Sequence, residues 1–282
     1  MLKKIVILQL VLGVVLPVTI AFAQPATTPG PQVRAPRQAR PPEPPLPESV
    51  TVKTVTADVT IDDRRLLSAD SDQDNWLLYG RTYDNQRFST LTAINSTNVK
   101  NLKPVAILQT GIANSFEATP IVVNGIMYVV TPEDHVIAYD AVTGEPLWRY
   151  DPQLAYSHYC CGPEARGVAV AYGKVYVARL DAVVVALDAR SGKVLWQSDP
   201  LTTLPAKAVD NEELAYAFSA APQVYDGMVV VGTSGAEFPI RGFVQAYDAQ
   251  TGQLVWRFRT TALTSLAPMR PPPICAPWRR WE

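Results

Sequence analysis

Three stretches of the chain repeat one pattern of apolar and polar positions. Each begins at a glycine with a run rich in β-branched residues, continues through a second apolar run that ends in aspartate, and closes on a run that carries tryptophan. Short apolar runs of this kind, separated by polar turns, are typical of β-strands buried on both faces. The stretches span residues 125–150, 173–198 and 227–258. The pattern therefore predicts three successive units built of antiparallel strands.

One frame recurs near the end of each stretch: Ala-x-Asp-x-x-(Thr/Ser)-Gly-x-x-x-Trp. The frame occupies residues 138–148, 186–196 and 246–256. Asp followed by Thr-Gly or Ser-Gly predicts a tight turn in which glycine takes a positive φ and aspartate accepts bonds from nearby amides. Trp148, Trp196 and Trp256 are 48 and 60 residues apart, a spacing that four-stranded propeller blades produce. We interpret these tryptophans as packing between adjacent blades, because buried aromatic residues more often form core than cofactor contacts.

The N-terminus has the features of an export signal. Lys3 and Lys4 precede an apolar run over residues 5–20, and Ala21 and Ala23 place small residues where a signal peptidase cleaves. The alternative is a membrane anchor, but the run is short for a bilayer span. We therefore expect a signal peptide over 1–23, a mature chain without a membrane span, and a periplasmic location.

A proline-rich segment over 24–49 follows, which we interpret as a disordered leader because it cannot bury a core. The folded domain is expected over 50–258. With a net charge of −1 and no basic block, the chain has no electrostatic footprint for nucleic acid.

The stretch with the most unusual chemistry is YCCGPEARG, residues 159–167. It contains two of the three cysteines, Cys160 and Cys161, and Arg166 follows five residues after the second. From the residues alone the cysteines could be reduced buried thiols, one of them could pair elsewhere, and Arg166 could be an ordinary surface cation. In an oxidising compartment a disulfide could persist.

Taken together, the repeat, the signal segment, CCG-x-x-x-R and the segment WLLYGRTYDNQRFSTLTAINSTNVKNL over 76–102 resemble the periplasmic quinoprotein alcohol dehydrogenases. The resemblance runs from about residue 74 to about 258 and includes Gly-Ala-Glu at 235–237. It implies an all-β fold: a partial β-propeller, about half of an eight-bladed ring. It also implies pyrroloquinoline quinone as cofactor.

The same resemblance implies roles for individual residues. Cys160 and Cys161 would form a vicinal disulfide that lies against one face of the quinone. The other cofactor-binding positions carried over from the family are Glu117, Arg166, Ser219, Ser234, Gly235 and Ala236. Relatives usually have threonine at the position of Ser219, so this assignment rests on a shared hydroxyl. Without the family, Glu117 would be a solvated loop carboxylate and 234–236 a plain turn.

Glu237 is the expected metal ligand, for calcium, with a lanthanide left open; on composition alone it would be an exposed turn acid. The family oxidises alcohols to aldehydes and passes electrons to a cytochrome c. No Cys-x-x-Cys-His occurs in the chain, so the partners expected are a small alcohol and a separate cytochrome c. The general-base aspartate and the asparagine ligand of relatives have no counterpart here, so we expect no catalytic residue.

After Phe258 the pattern changes. Residues 259–282 lack the blade frame and are crowded with Pro, Arg and Trp, which resembles translation in a shifted frame. We therefore expect a truncated product that lacks alcohol dehydrogenase activity on its own. The alternative function is a non-catalytic envelope propeller that binds protein partners; the paired cysteines and the Gly-Ala-Glu segment favour the enzyme lineage.

The cysteine assignment gives a direct test. If Cys160 and Cys161 are bonded to each other, only Cys275 is a free thiol, and alkylation of the unreduced, denatured chain should add one label by intact mass. Addition of three labels would show that the adjacent pair is reduced.

Overall fold

The computed structural model describes residues 55–155, 162–200, 216–235 and 240–260. These residues form three four-stranded antiparallel sheets, with the strand orders β1-β2-β3-β4, β5-β6-β7-β8 and β12-β11-β10-β9. The strands are β1 Ile121–Val123, β2 Ile126–Val130, β3 Val136–Asp140, β4 Pro146–Tyr150, β5 Ala169–Ala171, β6 Lys174–Ala178, β7 Val184–Asp188, β8 Val194–Ser198, β9 Gln223–Tyr225, β10 Met228–Gly232, β11 Phe243–Asp248 and β12 Leu254–Arg259. The expected all-β, partial-propeller architecture is confirmed, with each sheet forming one blade.

Helical structure in the described ranges is short. It consists of α1 Asp63–Leu67 and the 3₁₀ helices Val99–Asn101 and Pro132–Asp134. Helix α1 begins at Asp62, whose side chain accepts a hydrogen bond from the Arg65 amide, an N-cap that satisfies one of the helix's unpaired donors. Within these ranges, no helix has both the length and the apolar character that a bilayer crossing requires.

The first two strands of every blade are joined by the same two-residue hairpin. In the first blade the loop is Asn124-Gly125, with φ of 47° and 82°, and the equivalent residues of the other blades also have positive φ at both positions. Two consecutive positive φ values are the signature of a type I′ turn, whose twist matches that of the flanking strands. The innermost hairpin of each blade is therefore specified locally.

The Asp-x-x-(Thr/Ser)-Gly turn joins the last two strands of each blade. In the first blade the Oδ1 atom of Asp140 accepts bonds from the amides of Val142 and Thr143 at 2.9 and 2.8 Å. Asp188 and Asp248 make the same contacts in the other two blades. The predicted turn is thus present three times, with aspartate as its organising residue.

Tryptophan joins each blade to the next. Trp148 of the first blade is buried, and its Nε1–H donates to the Ala189 carbonyl of the second blade at 3.1 Å. The Tyr128 hydroxyl donates to the same carbonyl at 3.0 Å. Trp196 makes the equivalent bond to the Ala249 carbonyl at 3.2 Å. The structure therefore shows the interpretation of these two tryptophans as interblade packing to be correct.

The blades share one continuous core. It runs through the inner strands of all three blades and takes in residues before the first strand, including Val55, Ile61, Leu66 and Leu77. The folded part of the chain consequently includes residues well upstream of the first repeat.

Gly192 tests the tryptophan contact. Its φ is +70°, and a Cβ built there would lie 2.5 Å from Cε3 of Trp148. Gly192→Ala should therefore lower the free energy of unfolding by about 1–2 kcal/mol for the left-handed backbone and by about another 1–3 kcal/mol for overpacking.

Gly173→Ala is the matched control, because Gly173 has φ +71° and nothing within 4 Å of a built Cβ. In urea unfolding followed by fluorescence, Gly173→Ala should lose only the part of the free energy of unfolding that comes from the left-handed backbone. Equal losses in the two variants would mean that the tryptophan face accommodates a methyl group.

Candidate functional site

Three candidate residues, Glu117, Arg166 and Ser219, lie four, three and four residues before the first strands of their blades. Their backbones are joined across the blades. The Thr119 amide donates to the Arg166 carbonyl at 3.0 Å, and the Arg166 amide donates to the Ser219 carbonyl at 3.1 Å. The entry segments of all three blades therefore meet at one end of the sheets, with Arg166 in the middle.

The side chains of these residues converge as well. Arg166 Nη2 lies 3.0 Å from Glu117 Oε2, and Arg166 Nη1 donates to Ser219 Oγ at 2.9 Å. The Arg166 and Glu117 side chains are 35% and 45% exposed. A guanidinium has five N–H donors in a planar fork, so this arrangement leaves donors of Arg166 available to a ligand. The sequence placed these residues in one site, and the structure brings them together.

Ser234 and Gly235 follow strand β10 and are tied to the same region. The Ser234 amide and its Oγ both donate to the Ala217 carbonyl, at 2.8 and 3.0 Å, two residues before Ser219. Gly235 has φ +115°, a value that glycine adopts readily and other residues rarely do. These two candidates therefore lie on the same end of the third blade as Ser219.

Four candidates lie outside the described residues: Cys160, Cys161, Ala236 and Glu237. The residue after the cysteines, Gly162, is described, and a Cβ built on it would lie 2.7 Å from the carboxylate oxygens of Glu164. Glu164 is 9% exposed. Among the described residues, no group of three or more His, Cys, Asp or Glu side chains could hold a metal ion.

The sequence analysis missed a set of buried charges at this end of the blades. Arg179 and Asp181, in the turn between β6 and β7, are 6% and 3% exposed, and Asp134, in the turn between β2 and β3, is fully buried. The available signal was the interruption of the apolar run 175–187 by an Arg and an Asp. That signal shows a polar site but not its partners.

Asp134 is held in an environment that favours its neutral form. Its Oδ2 accepts a bond from the Leu180 amide at 2.6 Å, and its Oδ1 has no hydrogen-bond partner among the described residues. Burial raises the pKa of Asp134 to about 8, against the Leu180 amide and the Arg179 charge, which lower it. The nearby Asp181 carboxylate raises it further. A buried acid of this kind carries a proton at neutral pH.

Comparison with known proteins decides the family. Residues 76–272 match the PQQ family profile, described as the glucose/ethanol/alcohol dehydrogenase β-propeller domain. The chain belongs to this family.

Among its relatives in the PQQ family is the dehydrogenase subunit of the quinone alcohol dehydrogenase of Acetobacter aceti. The two are 42% identical over 198 residues, which cover 69% of this chain and 26% of the relative. The crystal structure of the quinohemoprotein alcohol dehydrogenase from Comamonas testosteroni aligns with a TM-score of 0.65 and 36% identity, covering 71% of this chain and 29% of that one.

A europium-containing methanol dehydrogenase aligns with a TM-score of 0.63 and 33% identity, covering 71% of this chain and 34% of that chain. The chain thus spans between a quarter and about a third of the length of these PQQ-family relatives. The profile match over 76–272 covers the three described blades and the entry segments that carry the candidate site.

The buried acid Asp134 predicts a pH dependence of stability. The pKa of Asp134 is higher in the folded state than in the unfolded state. Its contribution to the free energy of unfolding is therefore fully present below about pH 4 and is lost as pH rises through about 8. Asp134→Asn keeps a carbonyl acceptor for the Leu180 amide but does not ionise. The stability of the parent relative to Asp134→Asn should therefore fall steadily between pH 4 and 8 and level off above.

Chemical denaturation of both proteins at matched pH values measures the difference between their free energies of unfolding. The contributions of the other titrating groups are the same in both proteins and cancel from this difference. A difference that does not vary with pH would mean that Asp134 titrates normally in the folded chain.

Proposed function

We propose that this chain binds pyrroloquinoline quinone at the end of the blades where Glu117, Arg166 and Ser219 meet, as part of an alcohol dehydrogenase. The observation that carries the proposal is the position of Arg166. Its backbone links the entry segments of all three blades, and its side chain contacts both Glu117 and Ser219. Such a residue is held in place by the whole fold while its charge faces solvent.

The residues present fit the cofactor that the resemblance implies, which is planar and carries three carboxylates and an ortho-quinone. A guanidinium can bind a carboxylate or a pair of oxygens with two parallel N–H bonds. The Ser219 hydroxyl can donate a hydrogen bond to the cofactor. The ion pair with Glu117 and the bond to Ser219 orient the Arg166 guanidinium. The main chain at Ser234 and Gly235 has no bulky side chain to prevent a close approach.

In this proposal each residue has a binding or orienting task. Arg166 neutralises and orients the anionic cofactor, and Glu117 accepts hydrogen bonds from Arg166 and from the ligand. Cys160 and Cys161, as a disulfide, would present a flat apolar surface to the ring. When bound, the quinone would supply the two-electron oxidant, since an alcohol that becomes an aldehyde gives up a hydride, which carries both electrons, and a proton.

A metal ion belongs to the same proposal. Glu237 follows Gly235 by two residues, and its carboxylate is a suitable oxygen ligand for calcium. The alignment with a europium-containing methanol dehydrogenase supports a lanthanide as the alternative ion. Either ion would act as a Lewis acid toward a quinone oxygen.

The electron acceptor is proposed to be a separate cytochrome c in the periplasm. The Comamonas relative is by name a quinohemoprotein, which supports a haem group as the next electron carrier. The export-type N-terminus supports the same compartment.

Substitution of Arg166 tests the cofactor site directly. Arg166→Lys keeps the charge but removes the planar fork, so we expect binding of pyrroloquinoline quinone to weaken by about tenfold or more, which corresponds to about 1.4 kcal/mol. Ser219→Ala should weaken it by a few-fold, in line with the loss of one neutral hydrogen bond. Both are measured by titrating the full chain with quinone and calcium and following the absorbance of the cofactor.

Arg65→Lys is the matched control. Arg65 is also partly exposed and paired with a carboxylate, Asp72, at 3.0 Å, and it contacts Asn124 at the far end of β1. The Arg65→Lys variant should bind quinone with the same affinity as the parent. If the folded parent does not bind quinone, the cofactor proposal is wrong and a scaffold function becomes the better one.

A further inference from the structure

The turn between β6 and β7 contacts all three blades. Its Leu180 amide donates to Asp134 of the first blade at 2.6 Å. Its Arg179 carbonyl accepts a bond from the Phe218 amide of the third blade at 3.1 Å. Phe218 directly precedes Ser219, whose hydroxyl accepts a hydrogen bond from Arg166. The main-chain bond to Phe218 therefore connects this turn to the candidate cofactor site.

Arg179 and Asp181 form a buried ion pair inside this turn. Arg179 Nε donates to Asp181 Oδ1 at 3.0 Å, and Arg179 Nη2 is bonded to Asp181 Oδ2. Their side chains are 8% and 1% exposed. A buried ion pair is a weak source of stability, because the loss of solvation offsets most of the attraction. Its presence therefore calls for another explanation.

Both side chains also bond to the segment that follows β4, and Arg179 Nη1 donates in addition to the Tyr150 hydroxyl of β4 at 3.4 Å. Arg179 Nη2 donates to the Gln153 carbonyl at 2.8 Å, and Asp181 Oδ2 accepts a bond from the Ala155 amide at 3.0 Å. One charge thus binds an acceptor and the other a donor, two residues apart, on the same stretch of main chain. This stretch leads directly into the segment that carries Cys160 and Cys161.

The chain that follows the cysteines is also held by its backbone. The Glu133 amide donates to the Pro163 carbonyl at 2.8 Å, and the Arg166 amide donates to the Ser219 carbonyl at 3.1 Å. The downstream side is therefore attached to the first and third blades by main-chain bonds. On the upstream side, the Arg179–Asp181 pair bonds the main chain to the second blade, and Asp151 Oδ1 lies 2.6 Å from His135 Nδ1 of the first blade.

We propose that Arg179 and Asp181 are positioning residues: they fix the main chain at Gln153 and Ala155, the stretch that leads in sequence into the two cysteines assigned to the cofactor under the proposed function. The role in cofactor binding rests on the proposed function, whereas the attachment of the segment does not. Because each charge neutralises the other, the pair can supply strong charge-assisted bonds to the main chain without leaving a net charge in the interior.

The test replaces the pair by apolar residues of similar size. Arg179→Met with Asp181→Leu removes both charges together, so that no unpaired charge stays buried and the overall stability should change little. Amide hydrogen exchange, followed by mass spectrometry on peptides covering 150–166, should then become at least tenfold faster. Peptides from β6 and β7 should exchange as in the parent. Quinone affinity should fall at least tenfold.

Two further variants separate positioning from general structure. Arg179→Met with Asp181→Asn also removes both charges but keeps an acceptor for the Ala155 amide, so part of the protection and affinity should return. Arg65→Met with Asp72→Leu removes a different Arg–Asp pair, at the α1 end of the chain, and should leave exchange at 150–166 and quinone affinity unchanged.

The exchange measurement and the quinone titration test different parts of the proposal. Unchanged exchange at 150–166 in the apolar variant would overturn the positioning role, whatever the quinone does. Faster exchange with unchanged quinone affinity would overturn the link to the cofactor site. If the parent binds no quinone, the proposed function fails, and the exchange measurement alone decides whether the pair fixes the segment.

Discussion

The contact between the tryptophan of one blade and the turn of the next is the interaction on which the rest of the structure depends. The indole ring of Trp148 packs against Gly192, and its N–H donates to the Ala189 carbonyl. Trp196 makes the same contacts with Gly252 and the Ala249 carbonyl. An isolated four-stranded sheet exposes two apolar faces and cannot form a stable core. The tryptophan supplies both the apolar area and a directional bond, so it sets the distance and the rotation between blades.

That geometry places the candidate site. Once the blades are in register, the segments before their first strands meet at one end, and main-chain bonds join residue 119 to 166 and 166 to 219. The Arg166 side chain can then reach Glu117 in one blade and Ser219 in another, though the three residues are about fifty positions apart in sequence. The site is therefore a product of the repeat, since no single blade contains it.

The sequence predicted the features that local chemistry determines and missed those that packing determines. The aspartate-centred turns with their positive-φ glycines and the repeated tryptophan follow from short-range pattern, and each is present. Glu117, Arg166 and Ser219 were predicted as one site only through family resemblance. Arg179, Asp181 and Asp134 belong to no motif. Arg179 and Asp181 are neighbours, but their bonds to Gln153 and Ala155, and the bond from Leu180 to Asp134, join positions 26 to 46 residues apart, so no spacing rule could connect them.

The distribution of these buried charges divides the blades into two ends. The ends that carry the type I′ hairpins and the aspartate turns are closed by bonds within a few residues of one another. Most of the buried acidic and basic residues in the described ranges lie at the opposite ends: Glu133, Asp134, Glu164, Arg179 and Asp181, all at most 9% exposed. Buried charges add little to stability, so their concentration at one end is better explained by a need to hold irregular main chain in place. Arg166, Glu117 and Ser219 meet at that end, which is why the polar interior and the candidate cofactor site are best understood as parts of one region.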